Sequence, residues 1–246
     1  GGGTIYERPG GFLYLELKSD ERGYNRMASF FHVTLDTLAP AGLSLVLNDG
    51  AQYATSAAVT AKITVSDTST TGYQMKIWGT KTAATEAAAS WETFTAEKAI
   101  TLPDGDGLKT IYCKVRDDVG NESAAVSDTI TLNSTIPAVT ITGPDKSRIS
   151  KVTGYDAAAF SFVCDVDFEE YTVRVVPATS SLHTAGTQIP TTGGSTNVSG
   201  TAGGYKKNTA INVTIKGADL ETASSGDGVK IVKVFVKNAA GTWSAA

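Results

Sequence analysis

Residues 105–125, GDGLKTIYCKVRDDVGNESAA, align without a gap with residues 226–246, GDGVKIVKVFVKNAAGTWSAA, at an offset of 121. Both stretches begin with Gly-Asp-Gly, continue through an alternating apolar run, carry a turn glycine and end in Ser-Ala-Ala. Alternation with a period of two is typical of a β-strand that has one buried face. The two stretches therefore predict one strand-and-turn unit that the chain uses twice.

A third, shorter copy of the pattern stands at the start of the chain. Residues 10–40, GGFLYLELKSDERGYNRMASFFHVTLDTLAP, match residues 107–137, GLKTIYCKVRDDVGNESAAVSDTITLNSTIP, with one residue of slippage near the turn. Pro40 and Pro137 then end equivalent strands, 97 residues apart. A period of about 100 residues is the size of a whole sandwich domain, far above that of solenoid repeats. The copies indicate tandem domains.

Further alternating runs supply enough strands for two complete sandwiches. Several such strands separated by turn residues favour an antiparallel arrangement. The second copy has them at Leu43/Leu45/Leu47, Val59/Ala61/Ile63/Val65, Tyr73/Met75/Ile77, Ile111/Cys113/Val115 and Val126/Ile130/Leu132. The third copy has them at Val139/Ile141, Phe160/Phe162/Cys164/Val166, Tyr171/Val173/Val175, Ile211/Val213/Ile215 and Val232/Val234/Val236.

The segments RDDVGNESAAVSDTITLNSTIP (116–137) and SDERGYNRMASFFHVTLDTLAP (19–40) resemble bacterial immunoglobulin-like repeats, whose strands run through D-x-x-G-N-x-S into a L-D-T-x-A-P linker. Gly120, Asn121 and Ser123 match this pattern, whereas Gly241-Thr242-Trp243-Ser244 departs from it in the last copy. Residues 168–246 are similar to C-terminal modules of immunoglobulin-like virion proteins from tailed phages of Gram-positive gut bacteria. The resemblance implies fold more directly than function, because such modules occur in many extracellular and virion proteins.

We predict an all-β fold of tandem immunoglobulin-like antiparallel β-sandwiches, one over 37–133 and one over 134–246. The Gly/Ser/Thr-rich stretch 178–204 is expected to be a long surface loop or hairpin that buries little. Residues 1–36 are interpreted as the C-terminal part of a first repeat or as anchoring strands. Their two runs, Leu13/Leu15/Leu17 and Phe31/Val33/Leu35, would leave an apolar face that upstream residues or another chain must cover.

Charge and hydropathy argue against nucleic acid and membrane as partners. The 246 residues carry a formal net charge of −4, and nucleic acid or anionic lipid requires a basic patch. The sequence also contains no run of about 18 apolar residues of the kind that spans a bilayer.

Three groups of residues are candidates for chemistry. Asp104, Asp106, Asp117, Asp118 and Asn121 could supply oxygen ligands to Ca²⁺, but their spacing differs from an EF-hand loop, and we favour side-chain bonding to the turn backbone. Cys113 and Cys164 fall in different copies, which favours two buried thiols over a disulfide. His32 and His183 lack a recognisable nucleophile partner. We therefore predict no catalytic residue, no cofactor and no metal.

Aromatic residues are the remaining candidates. Trp78, Trp91 and Tyr205 are candidate weak glycan contacts, since an aromatic face on a sandwich can hold a sugar ring; the alternative is that the tryptophans pack on their own sheet.

The sequence favours a non-enzymatic structural and display protein of a tailed-phage virion, associated with the tail or capsid. Its expected partners are other virion subunits, copies of itself and host cell-surface carbohydrate. The alternative is the immunoglobulin-like stalk of a bacterial cell-surface adhesin or secreted multi-domain protein. The expected location is the virion or the extracellular surface.

Overall fold

The computed structural model describes residues 3–8, 12–17 and 33–245. It divides into two compact units, one of residues 1–50, 60–103 and 110–129 and one of residues 51–59, 104–109 and 130–246. The regular secondary structure of the described part is almost entirely β-strand, with one α-helix and two short 3₁₀ turns. The predicted all-β, antiparallel sandwich fold is confirmed.

The N-terminal strands β1 (Gly3–Arg8) and β2 (Phe12–Leu17) form an antiparallel pair that aligns Gly3 with Leu17. The sequence had suggested a strand around Phe31/Val33/Leu35 beside β2. Phe31 lies outside the described residues, and residues 33–36 contain one isolated bridge position, Thr34. Val33 and Leu35 are exposed.

The first sandwich consists of two sheets. The smaller sheet has the order β3-β5-β8 and the larger the order β4-β10-β9-β6-β7. The strands of the smaller sheet are β3 (Ser44–Leu47), β5 (Ala58–Thr64) and β8 (Glu97–Thr101). Those of the larger sheet are β4 (Tyr53–Ala54), β6 (Gln74–Trp78), β7 (Glu92–Thr93), β9 (Gly107–Arg116) and β10 (Val126–Leu132).

The apolar alternation read from the sequence fixes which face of each strand is buried. Along β5, Val59, Ala61 and Ile63 are buried while the residues between them are exposed. A register slip by one residue would turn the apolar set to solvent. The Ala-rich stretch 82–90 forms only the 3₁₀ turn Glu86–Ala88, a turn too short to count as a helical element.

The second sandwich repeats the plan with one helix added. One sheet has the order β11-β12-β16; in the other, β13 pairs with β14, β15 and β17. The strands are β11 (Val139–Thr142), β12 (Ala157–Cys164), β13 (Glu170–Val175), β14 (Thr187–Gln188), β15 (Ser199–Gly200), β16 (Ile211–Lys216) and β17 (Val232–Lys237), and the helix α1 is Gly217–Ala223. Its core includes Phe162, Phe168, Tyr171, Val173, Ile189, Val198, Val213, Val234 and Val236.

The stretch 178–204, predicted to be a long surface loop or hairpin, is mostly exposed and includes two short strands. It contributes β14 and β15, which pair with β13, and its apolar residues Ile189 and Val198 are fully buried. Asp219 of α1 anchors the intervening turn, because its buried carboxylate accepts hydrogen bonds from the Gly193 and Ser195 amides. Most of the stretch is exposed, and Ile189 and Val198 are the apolar residues that dock it against the core.

Among the described residues, no helix is long and apolar enough to cross a membrane.

Candidate functional site

The turn after β9 is organised by one buried carboxylate. Asp117 accepts hydrogen bonds from the backbone amides of Val119 and Asn121 and from the side-chain amide of Asn121. Burial alone would raise the pKa of Asp117, but the hydrogen bonds from Asn121, Val119 and Gly120 outweigh it and lower that pKa. The predicted bonding of an aspartate to the turn backbone is confirmed at this position.

The same turn recurs after β17, 121 residues later. Asn238 takes the place of Asp117 and accepts from the Thr242 amide at 2.9 Å. In both turns a buried serine closes the hairpin, because the Ser123 and Ser244 hydroxyls accept from the amides of Val115 and Val236 respectively. Gly120 and Gly241 have φ of 93° and 85°, the left-handed region that favours glycine. The sequence repeat is thus a repeat of hydrogen-bond geometry.

These two turns also bind the segments that lead into the sandwiches. The Asn121 side-chain amide donates to the Asp36 carbonyl at 3.2 Å, within the first unit. The Asn238 side-chain amide donates to Asn133 Oδ1 and to the Thr135 carbonyl, both at 3.2 Å, within the second unit. A side-chain amide held by its own turn therefore fastens the incoming chain in both repeats.

The segment at 134–135 is held most strongly by the Gly-Asp-Gly loop. Asp106 accepts from the Ser134 amide and hydroxyl at 2.8 Å each, and from the Thr135 amide and hydroxyl at 3.1 and 2.6 Å. The hydrogen bonds from the Thr135 hydroxyl and from Ser134 lower the pKa of Asp106 to about 2. We call the contacts of Asp106 with Ser134 and Thr135 the linker clasp; all three residues lie in the second unit.

Sequence reasoning singled out Asp106 and Asn121 but assigned neither a linker contact, and it did not single out Asn238. The signal that points to Asn238 is its equivalence to Asp117 at the offset of 121.

Trp78 is one of the predicted glycan contacts, and it packs on its own sheet. It is 8 % exposed and stacks on Tyr112, its register partner on β9, with ring centroids 5.5 Å apart. The chain turns back over this region at Gly79, where φ is +82° and a Cβ would lie 2.3 Å from the Thr110 carbonyl oxygen. Trp78 therefore presents little ring surface to solvent.

Trp91 lies on the same outer face and is more accessible. Its half-buried ring lies against two cationic groups, Arg116 at 4.6 Å and Lys76 at 5.0 Å from the ring centroid. Arg116 also donates through Nε to Gln74 at 2.7 Å, and Lys114 pairs with Glu86 at 2.8 Å. This outer face therefore joins aromatic surface to hydrogen-bonding groups, and cation–π contact fixes the position of the indole.

Tyr205 belongs to the second sandwich and is not part of that face. Its ring stacks on Phe168 with centroids 5.0 Å apart and meets Tyr171 edge-on at 5.2 Å. Burial, and then the neighbouring Tyr205 hydroxyl, raise the pKa of Tyr171. Tyr205 is thus integrated into an aromatic cluster of the core, with part of its surface in contact with solvent.

The other candidate groups are dispersed. His183 stacks on Trp243 at 4.3 Å, while His32 lies outside the described residues. Cys113 and Cys164 are free and buried, each in its own sandwich, as predicted; burial raises the pKa of Cys113 to about 12. Within the described ranges no group of three or more His, Cys, Asp or Glu side chains is placed to hold a metal ion.

The described residues form open cavities in both units. One of about 310 Å³ is lined by Asn48, Asp49, Thr60, Lys62 and Glu97 of the first unit. One of about 460 Å³ lies beside the start of β17, and its apolar lining includes Val175, Ala223, Val229 and Ile231. Neither cavity contains any of the predicted glycan contacts.

Comparison with known proteins gives likenesses of fold alone. No family model matches the chain, and no curated protein sequence matches it. Among solved structures, fibronectin(III)-like modules of Clostridium thermocellum CbhA match at 9 % identity and a TM-score of 0.41, covering 82 % of this chain and 90 % of that one. The D00-D0 domain of intimin matches at 16 % identity and a TM-score of 0.32, covering 83 % and 95 %. Carbohydrate-binding modules of the β-sandwich superfamily match at 10 % identity and a TM-score of 0.32, covering 85 % and 99 %.

Proposed function

We propose that this chain is a non-enzymatic structural and display segment of a tailed-phage virion, in which successive sandwiches serve as spacers and carry weak contact sites. The observation that carries the proposal is the fastening of the connecting segments. Asp106 accepts four hydrogen bonds from Ser134 and Thr135, and Asn238 donates to the Thr135 carbonyl. A connection built only for flexibility would leave these backbone groups in water.

The contact sites in this proposal are individually weak, and their combined strength depends on the number of copies on one particle. Trp91, with the hydrogen-bonding groups of Arg116 and Gln74 beside it, offers an aromatic surface of the kind that packs against a sugar ring. A single such contact binds weakly, but many copies on one particle raise the overall avidity. Host cell-surface carbohydrate is the ligand class that this surface suits.

The glycan part is tested by coating beads with the wild-type protein, Trp91→Ala or Trp91→Phe and measuring bead adhesion to immobilised bacterial cell-surface polysaccharide. We expect Trp91→Ala to lower the affinity about fivefold, corresponding to ~1 kcal/mol, and Trp91→Phe to retain most of it because an aromatic ring remains. Equal adhesion of all three proteins would remove Trp91 from the proposal.

The location is tested with an antibody raised against residues 33–245. Immunogold label on purified tailed-phage particles is the expected result. Label on the bacterial cell envelope instead would select the alternative, the stalk of a surface adhesin, for which fastened connections are equally suitable. Label confined to the cytosol would contradict both.

A further inference from the structure

The outer face of the larger sheet in the first sandwich carries positive charge beside Trp91. Lys76 and Arg116 lie over the Trp91 ring, at 5.0 and 4.6 Å from its centroid, and all three residues belong to the first unit. Neither cation forms an ion pair with a carboxylate in the part of the chain that the structure describes. The ring is therefore accompanied by two charges that the described residues do not neutralise.

Two lysines of the same region are neutralised, in contrast to these two cations. Lys114 lies 2.8 Å from Glu86 and 3.7 Å from Glu122. Lys98 lies 2.6 Å from Glu92, the residue that follows Trp91. Four cationic side chains thus meet three carboxylates here, and the unpaired charge lies on the two cations that contact the indole.

The strand register places like charges opposite each other on this face. Lys76 of β6 is the register partner of Lys114 of β9. Like charges in directly opposed positions destabilise a sheet. Glu86 pairs with Lys114 and so neutralises only one of the two lysines. The charge of Lys76 is therefore unfavourable in the free protein, and an anion bound beside it would remove that disadvantage.

Arg116 is oriented by a neutral partner and keeps unused donors. Its register partner Gln74 accepts through Oε1 from Arg116 Nε at 2.7 Å and also from Nη2. A guanidinium has five N–H donors in a rigid fork, so three of them have no acceptor among the described residues. The fork matches the paired oxygens of a carboxylate or phosphate. Gln74 thus fixes the direction of Arg116 without neutralising it.

The charge of the whole chain does not explain a preference for anions. The formal net charge is −4, which repels polyanions at a distance. At physiological ionic strength, charges separated by more than about 8 Å are largely screened from each other. An anionic group in contact with the Trp91 ring would therefore respond mainly to Lys76 and Arg116.

We propose that this face binds acidic carbohydrate, with a sugar ring against the accessible part of the Trp91 indole and an anionic substituent on Lys76 and Arg116. This inference rests on the proposed function and names the chemical class of its ligand. The shared chemistry is a sugar polymer that carries carboxylate or phosphate groups. A neutral polymer would use the indole alone and leave both cations without a partner.

The test is frontal affinity chromatography of the full chain on polymers that differ only in charge. Polygalacturonate is compared with its methyl-esterified form, and phosphomannan with mannan. The wild type should be retained about tenfold more strongly by the charged member of at least one pair, since two exposed ion pairs contribute a few-fold each. Preference within the first pair alone assigns a carboxylate as the anionic group, and preference within the second pair alone assigns a phosphate.

Variants locate the preference on the two cations. Lys76→Gln should reduce it about threefold, and Lys76→Gln combined with Arg116→Gln should remove most of it. Lys76→Arg should restore it, and retention on the neutral polymers should stay unchanged, which a merely structural role of Lys76 would not predict. Lys62→Gln is the matched control, because it removes the same charge from β5 in the other sheet; it should behave like the wild type.

Three results would overturn the inference. They are equal retention on both members of both pairs, a loss of preference in Lys62→Gln as large as in Lys76→Gln, and retention on the charged polymers that survives Trp91→Ala. The neutral polymers separate this outcome from the proposed function. Retention that depends on Trp91 but not on charge would leave the proposed glycan contact standing while the inference fails, whereas no retention on any polymer would remove both.

Discussion

Replacement of Asp106 by alanine removes the acceptor of four hydrogen bonds at once and should release residues 134–135. Bonds to a charged acceptor contribute ~1.5–3 kcal/mol each when shielded. Asp106 is exposed, so solvent screening reduces the sum to about 1–2 kcal/mol for the clasp as a whole. Because 1.4 kcal/mol corresponds to a factor of ten, we expect the Ser134 and Thr135 amides to exchange with solvent about tenfold faster in Asp106→Ala.

The same clasp gives a pH dependence with a defined sign. The pKa of Asp106 is depressed from 3.8 to about 2 in the folded protein. A group with a depressed pKa contributes its stabilisation above the unfolded value and loses it as pH falls through the folded value. The clasp should therefore be intact above pH 4 and weaken between about pH 4 and pH 2.

Amide NMR at Ser134 and Thr135 measures both the rate of hydrogen exchange and the pH dependence of the clasp. The Ser134 and Thr135 resonances should titrate with a midpoint near pH 2, and their exchange should accelerate in Asp106→Ala. Asp118→Ala, at an exposed carboxylate, is the control and should leave both signals unchanged. Unchanged exchange in Asp106→Ala, or a midpoint near the ordinary 3.8, would refute the reasoning.

Three further predictions concern the two cores. Asp219→Ala should destabilise the second sandwich by about 3 kcal/mol in urea unfolding followed by Trp243 fluorescence, because the Gly193 amide and the buried Ser195 amide lose their charged acceptor; a loss below ~0.5 kcal/mol would contradict this role. Cys113 and Cys164 should both react with iodoacetamide in urea and hardly at all in the native protein, and mass spectrometry detecting a crosslink would disprove the free thiols. Asp117→Ala should cost the first sandwich about 2 kcal/mol in thermal unfolding and Asp118→Ala less than ~0.5 kcal/mol, with equal effects arguing against the turn role.

The strands were predictable because their side-chain period is visible in the sequence. The runs Ile111/Cys113/Val115 and Val232/Val234/Val236 became equivalent strands, and placing both cysteines on such runs predicted that they are buried. This signal is local, since it requires only neighbouring residues to alternate.

The linker clasp could not be found in the same way. Asp106 and Ser134 are 28 residues apart, and a Ser-Thr pair in a Ser- and Thr-rich chain carries no pattern of its own. The position of Ile189 was missed for a related reason: burial of a single apolar residue inside a Gly-rich stretch depends on the strand that it meets, here Val173 of β13.

The placement of Trp78 shows a further limit. An aromatic residue at an outward position of a strand reads as a surface contact, and its stacking on Tyr112 depends on the register between two strands 34 residues apart. The sequence left two interpretations of Trp78 open, a glycan contact and packing on its own sheet. Only the three-dimensional structure distinguishes them.

The pairing of β13 has a consequence for the order in which the chain folds. In the first sandwich Ile77 of β6 meets Cys113 of β9 across 36 residues, whereas Val173 of β13 meets Val234 of β17 across 61. Closing the longer loop costs about 0.5 kcal/mol more, roughly a factor of two in rate. However, β14 and β15 pair with β13 from within that loop. These pairings can form first and shorten the loop that must still close between β13 and β17. The Gly/Ser/Thr-rich stretch 178–204 would then provide the first pairings in the domain that folds more slowly.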